Sequence, residues 1–131
     1  MRPILFAVLT VLPMTAYAGA NPEAVYRSMI TGAWAMAPEA CGTIDAFTFS
    51  HGQVQAGIDV CTFSAPISGP GGTGVQLNMS CTESDDPTTA IPETFVLTLD
   101  QVDPGLPDPG DILTLTGTDS LGVPITLRRC P

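Results

Sequence analysis

The sequence predicts an all-β domain, a small antiparallel meander of about seven to eight strands that closes into a barrel or folds into a sandwich. A short N-terminal helix and two disulfides complete the prediction. Three observations support it: short segments in which apolar and polar residues alternate, glycine- and proline-rich turns between those segments, and four cysteines in a chain that starts with an export signal.

The export signal occupies residues 1–18. An arginine precedes an apolar run at 4–12, and the triplet Ala-Tyr-Ala at 16–18 has the small-x-small pattern that signal peptidase cleaves. The run is too short to cross a bilayer, which takes about 20 apolar residues. We therefore expect cleavage after Ala18, a periplasmic or secreted protein, and no membrane span.

The charge balance narrows the choice of partner. The chain carries 13 acidic residues against 4 basic ones, for a net charge of −9, and the basic residues are all arginines. Such a surface cannot neutralise phosphates, so neither nucleic acid nor an anionic membrane is an expected partner. The length suffices for one modest core. We divide the chain into the signal peptide (1–18), a helical segment (19–31) and a disulfide-bridged β domain (32–131), and expect a monomer.

A helix is predicted directly after the signal. Asn21 suits the N-cap, Pro22 the first helical position and Glu23 the first turn, where an acid is favourable. Gly32 ends the helix. Its apolar stripe consists of Val25, Tyr26, Met29 and Ile30.

The remaining elements are strands. Alternation or β-branched and aromatic residues mark six of them, at 43–49, 54–60, 75–79, 94–99, 112–115 and 123–127. A short strand is expected around Trp34, and the polar stretch 82–89 is predicted to be a loop. Pro124 lacks an N–H, so it must lie at a strand start or on an edge, which leaves barrel and sandwich both open.

Four cysteines, Cys41, Cys61, Cys81 and Cys130, are predicted to form two disulfides. The sequence has no CxxC pair and no histidine next to a cysteine, so a zinc site is not expected. A hairpin turning at 50–52 places Cys41 opposite Cys61, and a hairpin centred near Gly71 places Cys61 opposite Cys81. The register therefore leaves both pairings open. The tighter first turn favours Cys41–Cys61 with Cys81–Cys130.

Catalytic machinery is nearly absent from the sequence. His51, the only histidine, lies in a predicted turn beside Gly52, and no lysine is present. The bridged cysteines are not available as nucleophiles. We therefore predict a protein that is not an enzyme, with no catalytic residue and no cofactor.

Two groups of acids were weighed as a calcium site, because calcium binds carboxylate oxygens. Their spacing does not match an EF-hand loop, and we predict turns rather than a metal site. The groups are Asp100, Asp103, Asp108 and Asp111, and Glu83, Asp85 and Asp86. The basic pair Arg128-Arg129 is expected to form ion pairs with nearby acids.

Trp34 is predicted to close one end of the barrel, where its ring covers apolar surface and its N–H meets a backbone acceptor. The inward side chains are large enough to fill a barrel of this length, which favours a solid core. They are Phe47, Phe49, Phe63, Leu77, Met79, Phe95, Leu97, Leu113, Ile125 and Leu127.

The sequence resembles small calycin-like (lipocalin-like) periplasmic barrels, and within them the bacterial Inh-type metalloprotease inhibitors. The resemblance rests on Gly32-x-Trp34, on the spacing of Cys41 and Cys61, and on the segment 111–116. In that family the chain ahead of the barrel enters the protease's cleft. The matching stretch is 19–31, and the candidate partner contacts within it are Asn21, Pro22, Glu23 and Tyr26.

Three functions follow as expectations. The first is a non-catalytic periplasmic binding domain of calycin-like type, whose partner is an unknown protein or small molecule. The second is a protease inhibitor that acts through the N-terminal segment. The third is a lipocalin-like carrier of a small apolar ligand, which requires a cavity inside the barrel.

Overall fold

The computed structural model describes residues 21–117 and 123–131; the predicted signal peptide lies outside them. The α-helix α1 spans Pro22–Val25 and continues as a π-helical turn, Tyr26–Ile30. Short 3-10 turns lie at Pro38–Ala40 and Pro70–Gly72. The strands are β1 Gly32–Ala35, β2 Phe47–Ser50, β3 Gln53–Ala56, β4 Asp59–Thr62, β5 Ile67–Ser68, β6 Val75–Glu83, β7 Asp86–Asp100, β8 Ile112–Gly117 and β9 Ile125–Arg129.

The strands form a closed antiparallel barrel. The order around it is β4-β3-β2-β1-β9-β8-β7-β6, and pairing of β4 with β6 closes the ring of eight strands. The short β5 adds to β6 beside the ring. Pro124 directly precedes β9, so its missing N–H does not interrupt the ladder. Of the two predicted architectures, the structure is the barrel.

The predicted strand at 54–60 is instead two strands, β3 and β4. They are joined by the two-residue turn Gly57-Ile58, with Ala56 facing Asp59 across the hairpin. Gly57 has a φ of 62°, a conformation that glycine adopts at little cost. The turn changes which residues point inward: Cys61 is buried, whereas Ile58 is 44 % exposed. The alternation of apolar residues through the turn misled the sequence-based assignment.

The predicted loop at 82–89 is largely strand. β6 runs to Glu83 and β7 begins at Asp86, with Ser84-Asp85 as the turn between them. Threonines fit an extended backbone well. The residues here carry no apolar alternation because 83–92 are solvent-exposed, so the sequence lacked the usual strand signal.

The disulfides are Cys41–Cys130 and Cys61–Cys81, so the preferred sequence-based pairing was wrong. The chain reverses again at Gly57-Ile58, so Cys61 lies between Val54 on β3 and Cys81 on β6. The pairing of Cys61 with Cys81, which the register of the second hairpin left open, is therefore the one present. Cys41 follows the 3-10 turn Pro38–Ala40, where it reaches the residue after β9.

The core fills most of the barrel. Tyr26 and Ile30, from the N-terminal segment, cover the end that we call the closed end, formed by the 50–53 turn, the start of β1 and the end of β9. Phe47, Phe63 and Ile125 pack partly buried against it. The buried side chains of the ring are Trp34, Phe49, Val54, Cys61, Val75, Leu77, Met79, Phe95, Leu97, Leu99, Leu113, Leu115 and Leu127.

Candidate functional site

Trp34 lies at the closed end and is fully buried. Its indole N–H donates to the carbonyl oxygen of Ile30 at 2.7 Å, the backbone acceptor that the sequence analysis expected. The guanidinium carbon of Arg129 lies 4.3 Å from the centre of its ring. The contact is within the range of a cation–π interaction. Trp34 therefore joins the N-terminal segment to the barrel and offers no surface to a ligand.

Asp111 is fully buried, which the sequence did not indicate. Its carboxylate accepts hydrogen bonds from the backbone N–H groups of Val102 and Asp108, at 3.0 and 2.9 Å. Arg129 Nε lies 3.7 Å from its Oδ2. Burial lowers the pKa of Arg129, and the charge of Asp111 opposes that effect. This residue, weighed above as a calcium ligand, holds the 101–111 loop against β9 instead.

Metal ligation has no structural support within 21–117 and 123–131. No group of three or more histidine, cysteine, aspartate or glutamate side chains is placed there to hold an ion. Of the four acids between 100 and 111, Asp100 and Asp103 are exposed, and Asp108 accepts from the N–H of Gly110.

The candidate partner contacts on the N-terminal segment differ in accessibility. Asn21 is exposed and its side chain accepts from the N–H of Glu23 at 2.8 Å, as an N-cap does. Pro22 is half-buried and Glu23 is exposed, within 4.0 Å of Arg27. Tyr26 is only 3 % exposed and its hydroxyl donates to the carbonyl oxygen of Ser50 at 2.7 Å. Two of the four residues are thus free to contact a partner.

His51 lies exposed in the turn between β2 and β3. The neighbouring Ser50 hydroxyl donates to the carbonyl oxygen of Gln53 at 3.3 Å. The two side chains therefore do not form a nucleophile–base pair in this arrangement.

The barrel end opposite Trp34 contains a cavity of about 290 Å³, which we call the mouth. The sequence analysis did not assign it. Its inner wall includes the Cys61–Cys81 disulfide and the ring of Phe95. The residues that line it are Ala56, Asp59, Cys61, Cys81, Thr82, Glu83, Asp86, Thr89, Ile91, Glu93 and Phe95.

Three carboxylates lie side by side on the rim of the mouth. Asp59 on β4 faces Glu83 on β6, and Glu83 faces Asp86 on β7. Like charges placed directly opposite each other on neighbouring strands destabilise a sheet. A fourth acid, Glu93, lines the cavity and is 7 % exposed. None of the described lining residues is basic.

The arginines of the described chain lie elsewhere. Arg27 is on the N-terminal segment beside Glu23, and Arg129 contacts Asp111, as expected for a basic residue near acids. Arg128 faces Ala35 and Ile112 across the neighbouring strands and lines a separate small cleft of about 160 Å³. Asp59, Glu83 and Asp86 on the rim therefore have no counter-charge among these arginines.

A second groove, of about 310 Å³, lies on the outside of the barrel between β1, β2, β3 and the 42–46 loop. Small and polar residues line most of it, and no charged side chain is among the described ones. Its lining residues are Ala33, Gly42, Thr43, Ile44, Ala46, Thr48, Gln55 and Gly57. It lacks the combination of carboxylates and an apolar wall that the mouth has.

Comparison with known proteins finds no matching family model, no matching curated protein and no matching solved structure. Function must therefore be argued from the barrel itself. Among the described residues, no helix is both long enough and apolar enough to cross a membrane.

The mouth could have been anticipated only with the correct turns. Asp59, Glu83 and Asp86 each adjoin a two-residue turn, at Gly57-Ile58 or Ser84-Asp85. Once both turns are recognised, hairpin geometry places the three acids at the same end of the barrel. The alternation through 54–60 and the polar composition of 82–89 hide these two turns, so the sequence alone does not bring the three acids together.

Proposed function

We propose that this is an exported, non-catalytic binding domain of calycin-like type that binds its ligand at the mouth of the barrel. The observation that carries the proposal is the difference between the two ends. One end is covered by the N-terminal segment and Trp34, and the described residues leave a cavity of about 290 Å³ at the other.

Export is supported by the chain's first 18 residues and by its two disulfides. Disulfides persist in oxidising compartments and are rare in the cytosol. Both bridges lie between strands or segments that are distant in sequence, with separations of 89 and 20 residues. They add to the stability of a small barrel whose single core is modest in size.

The packing of the N-terminal segment favours the mouth over that segment as the binding site. Tyr26 and Ile30 are buried in the core, and the Arg129 guanidinium donates to the carbonyl oxygens of Met29 and Thr31. Insertion of this stretch into a protease cleft would remove these contacts. The inhibitor hypothesis therefore has less support than mouth binding.

The size of the mouth limits what can enter it. Ligand pockets commonly measure about 300–1,000 Å³, so a cavity near the lower bound suits a small molecule or one side chain of a larger partner. The filled core beneath leaves no room for a large apolar ligand. A lipocalin-like carrier remains a candidate only for a small ligand, and the cavity is the observation that favours it.

A blocked mouth tests the proposal. Ala56 lines the cavity, so Ala56→Trp should fill it, whereas Thr48→Trp places the same ring in the outer groove as a matched control. Each protein is recovered from the export compartment and examined by native mass spectrometry. A bound mass should appear with the wild type and Thr48→Trp and be absent from Ala56→Trp. A mass retained by Ala56→Trp contradicts the proposal.

A further inference from the structure

We infer that the mouth binds an organic cation, a primary ammonium or guanidinium group carried on a short apolar chain. The inference rests on the proposed function and names the ligand class of the same site. The structural basis is the combination of an apolar wall with a rim of three carboxylates, Asp59, Glu83 and Asp86, that no described basic side chain balances.

The rim indicates the charge of the ligand. Asp59, Glu83 and Asp86 lie on three adjacent strands, each facing the next. Opposed carboxylates repel one another, and a bound cation offsets that repulsion because it attracts each of them. With a chain net charge of −9, anionic ligands are repelled before they reach the cavity.

The same geometry argues against a metal ion as the occupant. Calcium requires six to eight oxygens converging at about 2.3–2.6 Å, and magnesium about six at a shorter distance. The acids of the mouth are distributed over three strands, and the described residues hold no group of three or more ligands around one point. A polyatomic cation suits such a distributed rim because several N–H groups can reach different carboxylates.

The wall indicates the rest of the ligand. Phe95, Ala56 and the Cys61–Cys81 disulfide present an apolar surface, and Ile91 extends it to the rim, where it is 59 % exposed. Asp59 and Glu83 lie two residues beyond Cys61 and Cys81 on their strands. Two residues of a strand span about 6.6 Å, so a few carbon atoms should separate the charged group of the ligand from its apolar part.

Three probes of the same length test the ligand class: hexylammonium, hexan-1-ol and hexanoate, titrated into the full protein by calorimetry and NMR. Hexylammonium should bind at least tenfold more tightly than hexan-1-ol, and its affinity should fall as ionic strength rises. Hexanoate should not bind. Nα-acetyl-lysinamide, as a fourth probe, distinguishes the two sources of this chemistry: tighter binding than hexylammonium indicates a partner's lysine side chain, and weaker binding indicates a free amine.

A double substitution supplies the second test. Asp59→Asn with Glu83→Gln should weaken hexylammonium binding at least tenfold and leave hexan-1-ol binding unchanged. Its urea midpoint should be equal to or above that of the wild type, because a repulsive pair is removed. Glu39→Gln with Asp45→Asn removes the same charge from exposed positions on the 36–46 loop and should leave binding unchanged.

The outcomes separate this inference from the proposed function. Equal affinity for hexylammonium and hexan-1-ol, or no effect of the double substitution, overturns the cation class while leaving the mouth as a binding site. Absence of binding by all probes also overturns it. The comparison of Ala56→Trp with Thr48→Trp then tests independently whether the mouth is a binding site.

Discussion

Arg129 Nε lies 3.7 Å from Asp111 Oδ2 at the closed end of the barrel, where the Asp111 side chain is fully buried and the Arg129 side chain is 11 % exposed. The same guanidinium stacks on Trp34 and donates to the carbonyl oxygens of Met29 and Thr31. One ion pair thus connects the loop before β8, the last strand, the first strand and the N-terminal segment. We expect this cluster to control the stability of the fold, while the mouth at the other end serves binding.

Asp111→Ala should lower the free energy of unfolding by about 3–5 kcal/mol, because it leaves the charge of Arg129 buried without its partner. The N–H groups of Val102 and Asp108 also lose their acceptor. Urea denaturation measures the change. Asp103→Ala, an exposed acid on the same loop, should shift stability by no more than about 0.5 kcal/mol. Equal effects of the two substitutions would mean that the buried pair contributes nothing.

Trp34→Phe keeps an aromatic ring but removes the N–H that donates to Ile30. The carbonyl oxygen of Ile30 then lacks this donor in a buried setting, which typically costs about 1–3 kcal/mol. A weaker contact with Arg129 adds to the effect, because phenylalanine offers a cation a poorer ring face than tryptophan does. Thermal unfolding followed by circular dichroism gives the measurement, and an unchanged midpoint would contradict the assignment of Trp34 as a core residue.

Removal of each disulfide should destabilise the protein, and more so for the bridge that closes the longer loop. Cys61→Ala with Cys81→Ala opens a bridge of sequence separation 20 and should cost about 3 kcal/mol. Cys41→Ala with Cys130→Ala opens one of separation 89 and should cost about 4–5 kcal/mol. Denaturation under non-reducing conditions compares the two pairs. Peptide mapping of the intact protein should recover 41–130 and 61–81, and a 41–61 peptide would refute this topology.

Tyr26 should make the protein unstable at high pH. Burial raises the pKa of Tyr26 well above its ordinary value of about 10. The unfolded chain therefore loses the phenolic proton first, so the stability contributed by Tyr26 is complete below about pH 10 and is lost as the pH rises above it. The chain has no lysine and its described cysteines are bridged, which leaves few other groups to titrate there.

Tyr26→Phe isolates this effect. At neutral pH it should cost about 1 kcal/mol through loss of the hydrogen bond to Ser50. Above pH 10 its stability should decline less steeply than that of the wild type, measured as the urea midpoint against pH. Parallel pH curves for the two proteins would rule out Tyr26 as the source of alkaline unfolding.

Local features of the sequence were sufficient to predict several elements. Asn21 caps α1 as expected, because capping depends on a side chain and the N–H groups two and three residues later. The alternation at 94–99 predicted the buried face of β7, since strand period is a local property. The number of disulfides followed from an even cysteine count in a chain that begins with a predicted export signal.

Prediction failed where a short turn decides which strands pair. The two-residue turn Gly57-Ile58 reverses the chain inside an apparently continuous alternation, and that reversal determines which cysteine faces Cys61. The burial of Asp111 was equally hidden, because an Asp between turn residues looks the same whether it faces water or Arg129.

By itself, the sequence determined the all-β class, the short capped helix, the presence of two bridges and a charge that disfavours anionic partners, because each depends on composition or on neighbours within a few residues. Only the tertiary structure decided that the meander closes by pairing β4 with β6, that Cys61 bonds to Cys81, and that Asp59, Glu83 and Asp86 share one rim. These are relations between segments distant in sequence, and they arise only when the closing of the barrel places those segments side by side.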